Sequence, residues 1–593
     1  MQPYVSDVTP AGVDAQSPHP EPTRSKKSRS RRTTACDACR ARRTRCDNRK
    51  PACGYCRARG IDCHYEQSLQ GHAPRVEAEL AAINQRLDQI TNLVQARPST
   101  SPEQGPLAKQ IRAGDMFTGE EKSPFQLLGS DCIMDILGLG PGFAHNLLKL
   151  ERATPLSGSN HAPRMRIMQQ EHAIMALASF STYVHCWYPI LRPGFSERYF
   201  GIISGVLAPS PESCLVLLVA AIGTLAQQDP ILGVSPSDGS SEQYFDLAMA
   251  SLPTVLVDGG IESVQSLILL AVYYCSLERP CQAYDYVMIA SFKVQNLLRC
   301  TKERDNELFE HIKRAYWAVL LLESELRVQF DVVESGIWNH DDDIPLPDSR
   351  RTWQFDVATG SPATTITTPG SDFSAMNRHA DTTQAYFLAE ISMRRMLHRC
   401  NTAIRRAIDG EIVYAPNIAK ELELQLEEWY GYLPPSVQFK SQDLESAISS
   451  HDDITSIEPL STFLRVQYFC CKISIYWPAV YQSIQDGAAS PELLRHCERF
   501  FHAYIQVMPT MLQSMRNCIV NRWTLYSTVF MTSMAVMLAM ETPCIREGCT
   551  IDWPNLWVCL RSAEAVDDCI VRSSPSLLLL HEVLVNRLRK LQH

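Results

Sequence analysis

Several signatures of secreted, membrane-spanning and catalytic proteins are missing from this chain of 593 residues. Its first twenty residues hold no apolar core of a secretory signal, so most of its 21 cysteines are expected to be buried, reduced thiols and not a disulfide framework. The longest run without a charge, Trp523 to Met540, reaches 18 residues but contains three Thr and two Ser. It reads as a buried helix, and no membrane span is expected. There is no Gly-x-Ser-x-Gly elbow and no glycine loop for a phosphate, and His581-Glu582 lacks the second histidine of a zinc-protease helix. His340-Asp341-Asp342-Asp343 could be a metal set, but beside Ile344-Pro345-Leu346-Pro347 it reads as a polar loop. No enzyme is expected. Strand-period alternation and fixed-period repeats are also missing, which points away from β folds and solenoids.

Charge is present but unevenly placed. The net charge is −9, yet residues 24–59 carry fourteen Lys or Arg against two acids, Asp37 and Asp47, a local +12 that leaves −21 for the rest. A basic segment on an acidic body marks a localised site for a polyanion. Residues 1–32 form an expected disordered tail, and its basic run RSKKSRSRR (Arg24, Lys26, Lys27, Arg29, Arg31 and Arg32) reads as a nuclear-import signal.

Inside the basic segment six cysteines follow C-x2-C-x6-C-x6-C-x2-C-x6-C: Cys36, Cys39, Cys46, Cys53, Cys56 and Cys63. The half-motif occurs twice, offset by 17 residues. Tetrahedral zinc takes four ligands, so six thiolates serve two ions if two of them bridge. One bridge from each half, the first cysteine of each triplet, is the natural choice. Six thiolates with two Zn²⁺ leave a charge of −2 and no position for water, so the ions are structural. A segment of about thirty residues cannot bury enough surface to fold alone, and the metal supplies that free energy. Two separate zinc sites or a redox thiol cluster fit the fixed spacing poorly. Between the second and third cysteines lie Arg40, Arg42, Arg43 and Arg45, a density suited to phosphate.

The head is expected at 33–65, followed by a linker at 66–75. Val76, Leu80, Ile83, Leu87, Ile90 and Val94 then alternate at 4–3 spacing, the seam of a short parallel coiled coil over 76–96. Residues 97–164 are expected to be linker and irregular chain. From 165 to 593 helical periodicity dominates, at 170–188, 213–227, 261–277, 283–300, 307–330 and 383–408. It continues at 417–430, 460–485, 491–516, 521–541 and 555–590. Loops are expected at 348–380 and at 441–460. The second holds Asp443, Glu445, Asp452, Asp453 and Glu458, an activation-like composition that also fits a solvated loop.

The stretch ACDACRARRTRCDNRKPACGYCRARGIDCHYE closely resembles the fungal zinc binuclear cluster (Zn₂Cys₆) family of transcription factors. The resemblance implies that Cys36 and Cys53 bridge, that Cys39 and Cys46 complete one zinc and that Cys56 and Cys63 complete the other. It makes Pro51 the turn between the halves, typically with a cis bond. It also makes Arg43 the base reader with Arg42 beside it, and places Arg40 and Arg45 near phosphates. Arginine replaces the family's usual lysine and adds bidentate geometry for guanine. The family's dimers present two heads to CGG-like triplets.

In the body, Glu262-Ser-Val-Gln265, Lys313-Arg314-Ala-Tyr316-Trp317 and Asp343-Ile344-Pro345-Leu346-Pro347 resemble the family's middle homology region, roughly 180–350. Glu323-Ser324 stands where Asp-Arg is usual, and no Gly-Arg-Pro follows near Gly336. The implied fold is a zinc-cluster head, a short coiled coil and a large all-α regulatory domain. The implied protein is a nuclear, RNA polymerase II-dependent regulator, an activator of a pathway or biosynthetic cluster. Its partners would be double-stranded DNA, a second copy of itself and co-regulators, with a small-molecule effector on the body. The alternative is a protein-interaction factor or metabolite sensor with little direct DNA binding.

Overall fold

The structure is a computed structural model. It describes residues 36, 38–39, 44, 46–47, 49 and 51–64 of the cysteine-rich segment, then 131–592 apart from 141, 154–169, 206, 230, 232–239, 302–306, 328–331, 349–370, 405–413 and 441–457. Two compact units divide the chain, Met1–Met116 and Phe117–His593. The basic run at 24–32, Arg40, Arg42, Arg43, Arg45, the coiled-coil seam and the acid-rich loop up to Asp453 lie outside the described residues.

In the first unit the described regular element of defined bounds is α1 (Gly54–Ala58). The second unit is helical, with no strand among the described residues. Its principal helices are α2 (Phe143–Ala153), α3 (Gln170–Phe180), α4 (Pro211–Gln227), α5 (Ser240–Ala250), α6 (Ile261–Ser276), α7 (Pro280–Cys300) and α8 (Glu307–Arg327). They continue with α9 (Ser371–Ile404), α10 (Pro416–Gly431), α11 (Pro459–Asp486), α12 (Pro491–Asn517), α13 (Arg522–Glu541), α14 (Trp553–Glu564) and α15 (Pro575–Gln592).

Local chemistry sets many of the starts. Ser210 accepts the Ser213 N–H and Pro211 opens α4; Ser490 and Pro491 do the same for α12 through the Leu493 N–H. Helices α4 and α6 are apolar nearly all round and are buried on nearly every face, which makes them the centre of the amino-terminal half. Helix α3 crosses α4 at backbone contact: a Cβ on Gly223 would stand 1.9 Å from the Ala176 carbonyl oxygen. In the carboxy-terminal half α11 and α12 form the most extensively packed pair. Each contains an interior proline, Pro478 and Pro509, which removes one ladder hydrogen bond from its helix. Helix α13, with mean hydropathy 1.3, is long and apolar enough to cross a bilayer, but 89% of its apolar window is buried within this fold.

The two body segments singled out in the sequence meet each other. From α8, Trp317 Nε1 donates to the Pro345 carbonyl at 3.2 Å, Tyr316 Oη to that of Ile337 at 2.9 Å and Lys313 Nζ to that of Leu346 at 3.3 Å. Glu323 accepts the Ser335 N–H at 2.9 Å and the Ser335 hydroxyl, just before Gly336 turns at φ 75°. The aromatic pair Tyr316-Trp317 is therefore a clamp that fastens the Ile-Pro-Leu-Pro strap.

Three expectations need correction. Helices Asp131–Ile136 and α2 fall inside 97–164, which was expected to be irregular. Helix α2 is held by a distant contact: its buried Glu151 accepts hydrogen bonds from Ser574 and Ser576. Helix α9 begins at Ser371, inside the expected loop 348–380. The single helical stretch at 555–590 is three helices, because Asp567 caps a new turn (Asp568–Val571) and Ser574-Pro575 opens α15. Helices Phe195–Ile203 and α5 had no strong periodic signal of their own.

The first turn of α13 is a polar hub. Arg522 pairs with Asp229, lies 3.9 Å from Glu278 and donates to the Met515 carbonyl at 2.8 Å. Trp523 Nε1 donates to Ser576 Oγ at 2.8 Å, and Ser576 donates to Glu151, which faces Arg279 at 3.8 Å. Thr524 donates to Glu325, which pairs with Arg394, and Arg394 Nε reaches Glu390 at 2.7 Å. Burial pushes the Glu278 and Glu390 carboxyls up to about 8.

Candidate metal centre

The x2 spacing places Cys36 beside Cys39 and Cys53 beside Cys56, each pair spanning the start of a short helical turn, and x6 returns the chain with the third thiol. Cys53 is the N-cap of α1, its Sγ accepting the Cys56 N–H at 3.4 Å. The Thr44 N–H bonds back to the Cys39 carbonyl at 3.0 Å, and Ile61 N–H to that of Cys56 at 3.0 Å. Those two positions are 17 residues apart, so the sequence repeat is also a repeat of backbone structure.

The sulfurs converge. Cys36 Sγ lies 3.7 Å from Cys53 Sγ, 3.7 Å from Cys56 Sγ and 3.9 Å from Cys46 Sγ, while Cys39 and Cys53 are 3.7 Å apart. Cys63 Sγ accepts the Cys53 N–H at 3.3 Å. A tetrahedron with Zn–S bonds of about 2.3 Å has S···S edges of about 3.8 Å, so these distances fit thiolates around shared zinc ions. Disulfide bonding, with sulfurs at about 2.05 Å, does not describe them. Cys36, Cys39, Cys53 and Cys56 are fully buried, with Ala38, Tyr55 and Ile61 packed against them, so the core of this head is its ligand set.

The thiols differ in acidity. The Cys56 N–H holds Cys53 below the usual thiol value, and the Cys53 N–H does the same for Cys63. Burial raises Cys39 and pushes Cys56 up to about 12, so at neutral pH zinc has to displace their protons. Acid therefore opposes metal loading.

Sequence reasoning missed Asp47. It accepts the Gly54 N–H at 2.9 and 3.1 Å, which holds its carboxyl below the usual range, and a carboxylate oxygen lies within 4.8 Å of the Cys46 and Cys53 sulfurs. A hint was available in its position directly after Cys46. The His340 loop is fastened otherwise: Asp341 pairs with Arg395 at 3.2 Å, and Trp338 stacks on His398 at 4.3 Å.

A thiol-cored basic head on one unit and an all-helical body in the other define a zinc-dependent DNA-binding transcription regulator. The comparisons agree. A family model described as "Fungal Zn(2)-Cys(6) binuclear cluster domain" matches residues 34–72, and one described as "Fungal specific transcription factor domain" matches 177–462. A protein of Aspergillus rugulosus, "Putative transcription factor ecdB", is 43% identical over 578 residues, covering 95% of this chain and 99% of that one. No solved structure matches. The chain belongs to the fungal Zn₂Cys₆ transcription factor family, whose cluster domain binds two zinc ions and acts on DNA in the nucleus.

Proposed function

We propose that this protein is a nuclear activator of RNA polymerase II transcription that binds paired CGG-like triplets as a homodimer and controls a pathway or biosynthetic gene cluster. The observation that carries the reading is the convergence of thiols from both half-motifs at tetrahedral-edge distances. Cys36 and Cys53 would be shared by the two zincs, with Cys39 and Cys46 holding one and Cys56 and Cys63 the other. Supporting this pairing, Cys36 Sγ is close to those of Cys46 and Cys56, Cys53 Sγ is close to that of Cys39, and the Cys53 N–H donates to Cys63 Sγ.

The zincs fix the head and take no part in chemistry, having no ligand position left for water. Arg43 and Arg42 read guanine edges in the major groove, and Arg40 and Arg45 contact phosphates and set register. Val76, Leu80, Ile83, Leu87, Ile90 and Val94 zip two chains together and fix the spacing of half-sites. The basic residues Arg24, Lys26, Lys27, Arg29, Arg31 and Arg32 direct nuclear import. The helical body receives co-regulators or a small effector.

Site selection from random duplex DNA with the full-length, zinc-loaded protein tests this. Paired triplets at one spacing are expected. A single triplet would remove the dimer, and no enrichment with two zincs bound would favour the protein-interaction factor. Arg43→Ala is expected to cost about 1–3 kcal/mol on the selected site and much less on random DNA. Transcript profiling after deletion of the gene checks the last step, with a clustered set of genes expected to fall.

A further inference from the structure

The carboxylate of Asp47 does something that the ligand count leaves unassigned. It follows Cys46, the last thiol of the first half, and crosses the intervening loop to accept the N–H of Gly54, which follows Cys53, the first thiol of the second half. The two half-motifs are thus joined by a side-chain clasp as well as by sulfur. The clasp needs room at residue 54: a Cβ there would lie 2.8 Å from Asp47 Oδ2. It also fixes the Cys53–Gly54 segment at two successive donors, because the Cys53 N–H points at Cys63 Sγ at 3.3 Å while the Gly54 N–H points at Asp47.

The clasp also sits beside the metal ligands: a carboxylate oxygen of Asp47 lies within 4.8 Å of the Cys46 and Cys53 sulfurs, and Arg49 stands 3.8 Å from the carboxylate. Orienting this segment and retaining the metal then favour each other. Hydrogen bonds that orient a ligand from outside the coordination sphere commonly change metal affinity by about 10–100-fold.

From this geometry we infer that Asp47 is a positioning residue of the zinc centre, which ties the Cys46 end of the first half to the turn at Gly54 and so retains the zinc on the Cys46 side. The inference rests on the two-zinc reading. It assigns Asp47 no coordination bond and no contact with DNA.

The test is zinc release from the full-length protein into excess chelator, followed by a metallochromic dye. Asp47→Ala is expected to make release biphasic, one equivalent leaving about 10-fold faster or more and the other near the native rate. Asp47→Asn keeps an oxygen acceptor for the Gly54 N–H and is expected to restore most of the retention. Gly54→Ala, which displaces the carboxylate without removing it, is expected to reproduce the selective loss. Asp62→Ala, removing an exposed acid of the same head, is expected to change nothing. Equal acceleration of both zincs would reduce Asp47 to a general stabiliser and overturn the inference, as would native release from Asp47→Ala. A native protein holding fewer than two zincs would instead overturn the two-zinc reading itself.

Discussion

The cysteine-rich head and the helical body both bury ionisable groups, and they neutralise them by different means. In the head the four fully buried thiols are the core, and the charge they acquire on ionisation is met by metal. In the body the core is apolar, built around side chains such as Trp317, Trp477, Tyr504 and Tyr526. Its buried carboxylates Asp229, Glu151 and Glu325 meet Arg522, Arg279 and Arg394. Glu278 and Glu390 go further and keep a proton at neutral pH, with carboxyls pushed up to about 8 by burial. A small fold thus imports its counter-charge as zinc, whereas a large one supplies it from side chains up to hundreds of residues away.

The comparison is broken most sharply by Cys36→Ala. If one bridging thiolate serves both zincs, its loss should empty the head, forfeiting zinc-binding energy of about 10–16 kcal/mol per structural ion. Metal analysis should fall towards zero while the thermal transition of the body stays in place. Arg522→Ala is the reciprocal change. It leaves the Asp229 carboxylate buried without its cation and should destabilise the body by about 3–5 kcal/mol in denaturant titration, with zinc content unaltered. Gly223→Ala forces a methyl group against the Ala176 carbonyl and should cost about 1–3 kcal/mol by the same measurement. Trp523→Phe removes the donor to Ser576 and should cost about 1–2 kcal/mol.

A pH series sharpens the contrast without mutation. Protons compete with zinc for the thiolates, so acid should strip the head. Glu278 and Glu390 titrate higher in the folded body than in the unfolded chain, so the folded state holds more protons between pH 4.5 and about 8. The stability they contribute is complete below the unfolded carboxyl range and is lost as pH rises towards 8. Desolvation shifts buried His496, and the less enclosed His502 and His581, down; they act oppositely, costing the body stability below their ordinary value. Zinc retention should therefore improve on passing from pH 7 to pH 8.5 while the body's transition midpoint falls, as calorimetry and metal analysis of one sample series can check.

The cysteine framework was legible because zinc ligation here is nearly local: x2 and x6 are written in the chain. Helices α4 and α6 were legible because a helix buried on all sides leaves an unbroken apolar run. Asp47 was not, since its partner is the backbone N–H of Gly54 and backbone donors carry no letter. Nor was the hub at Arg522, Trp523 and Thr524, whose partners Asp229, Glu151 and Glu325 lie far away in sequence. The same distance hid α2, an amphipathic stretch whose Glu151 becomes intelligible only beside Ser574 and Ser576. Glu323, a departure from the family pattern, turns out to hold Ser335.

The hub at the start of α13 also bears on how the polypeptide is made. Asp229 and Arg522 are separated by 293 residues, which a ribosome takes about 15–60 s to traverse at ~5–20 residues per second. Until then the nascent chain carries the carboxylates of Asp229, Glu278 and Glu325 with no cation from α13 and no Thr524 to receive them. The cysteine motif is finished within the first 63 residues, so all six of its thiols are on the chain long before Arg522 is added. On the growing chain the six thiols can meet zinc while α4 and α6 still wait for the helix that closes the body's hub.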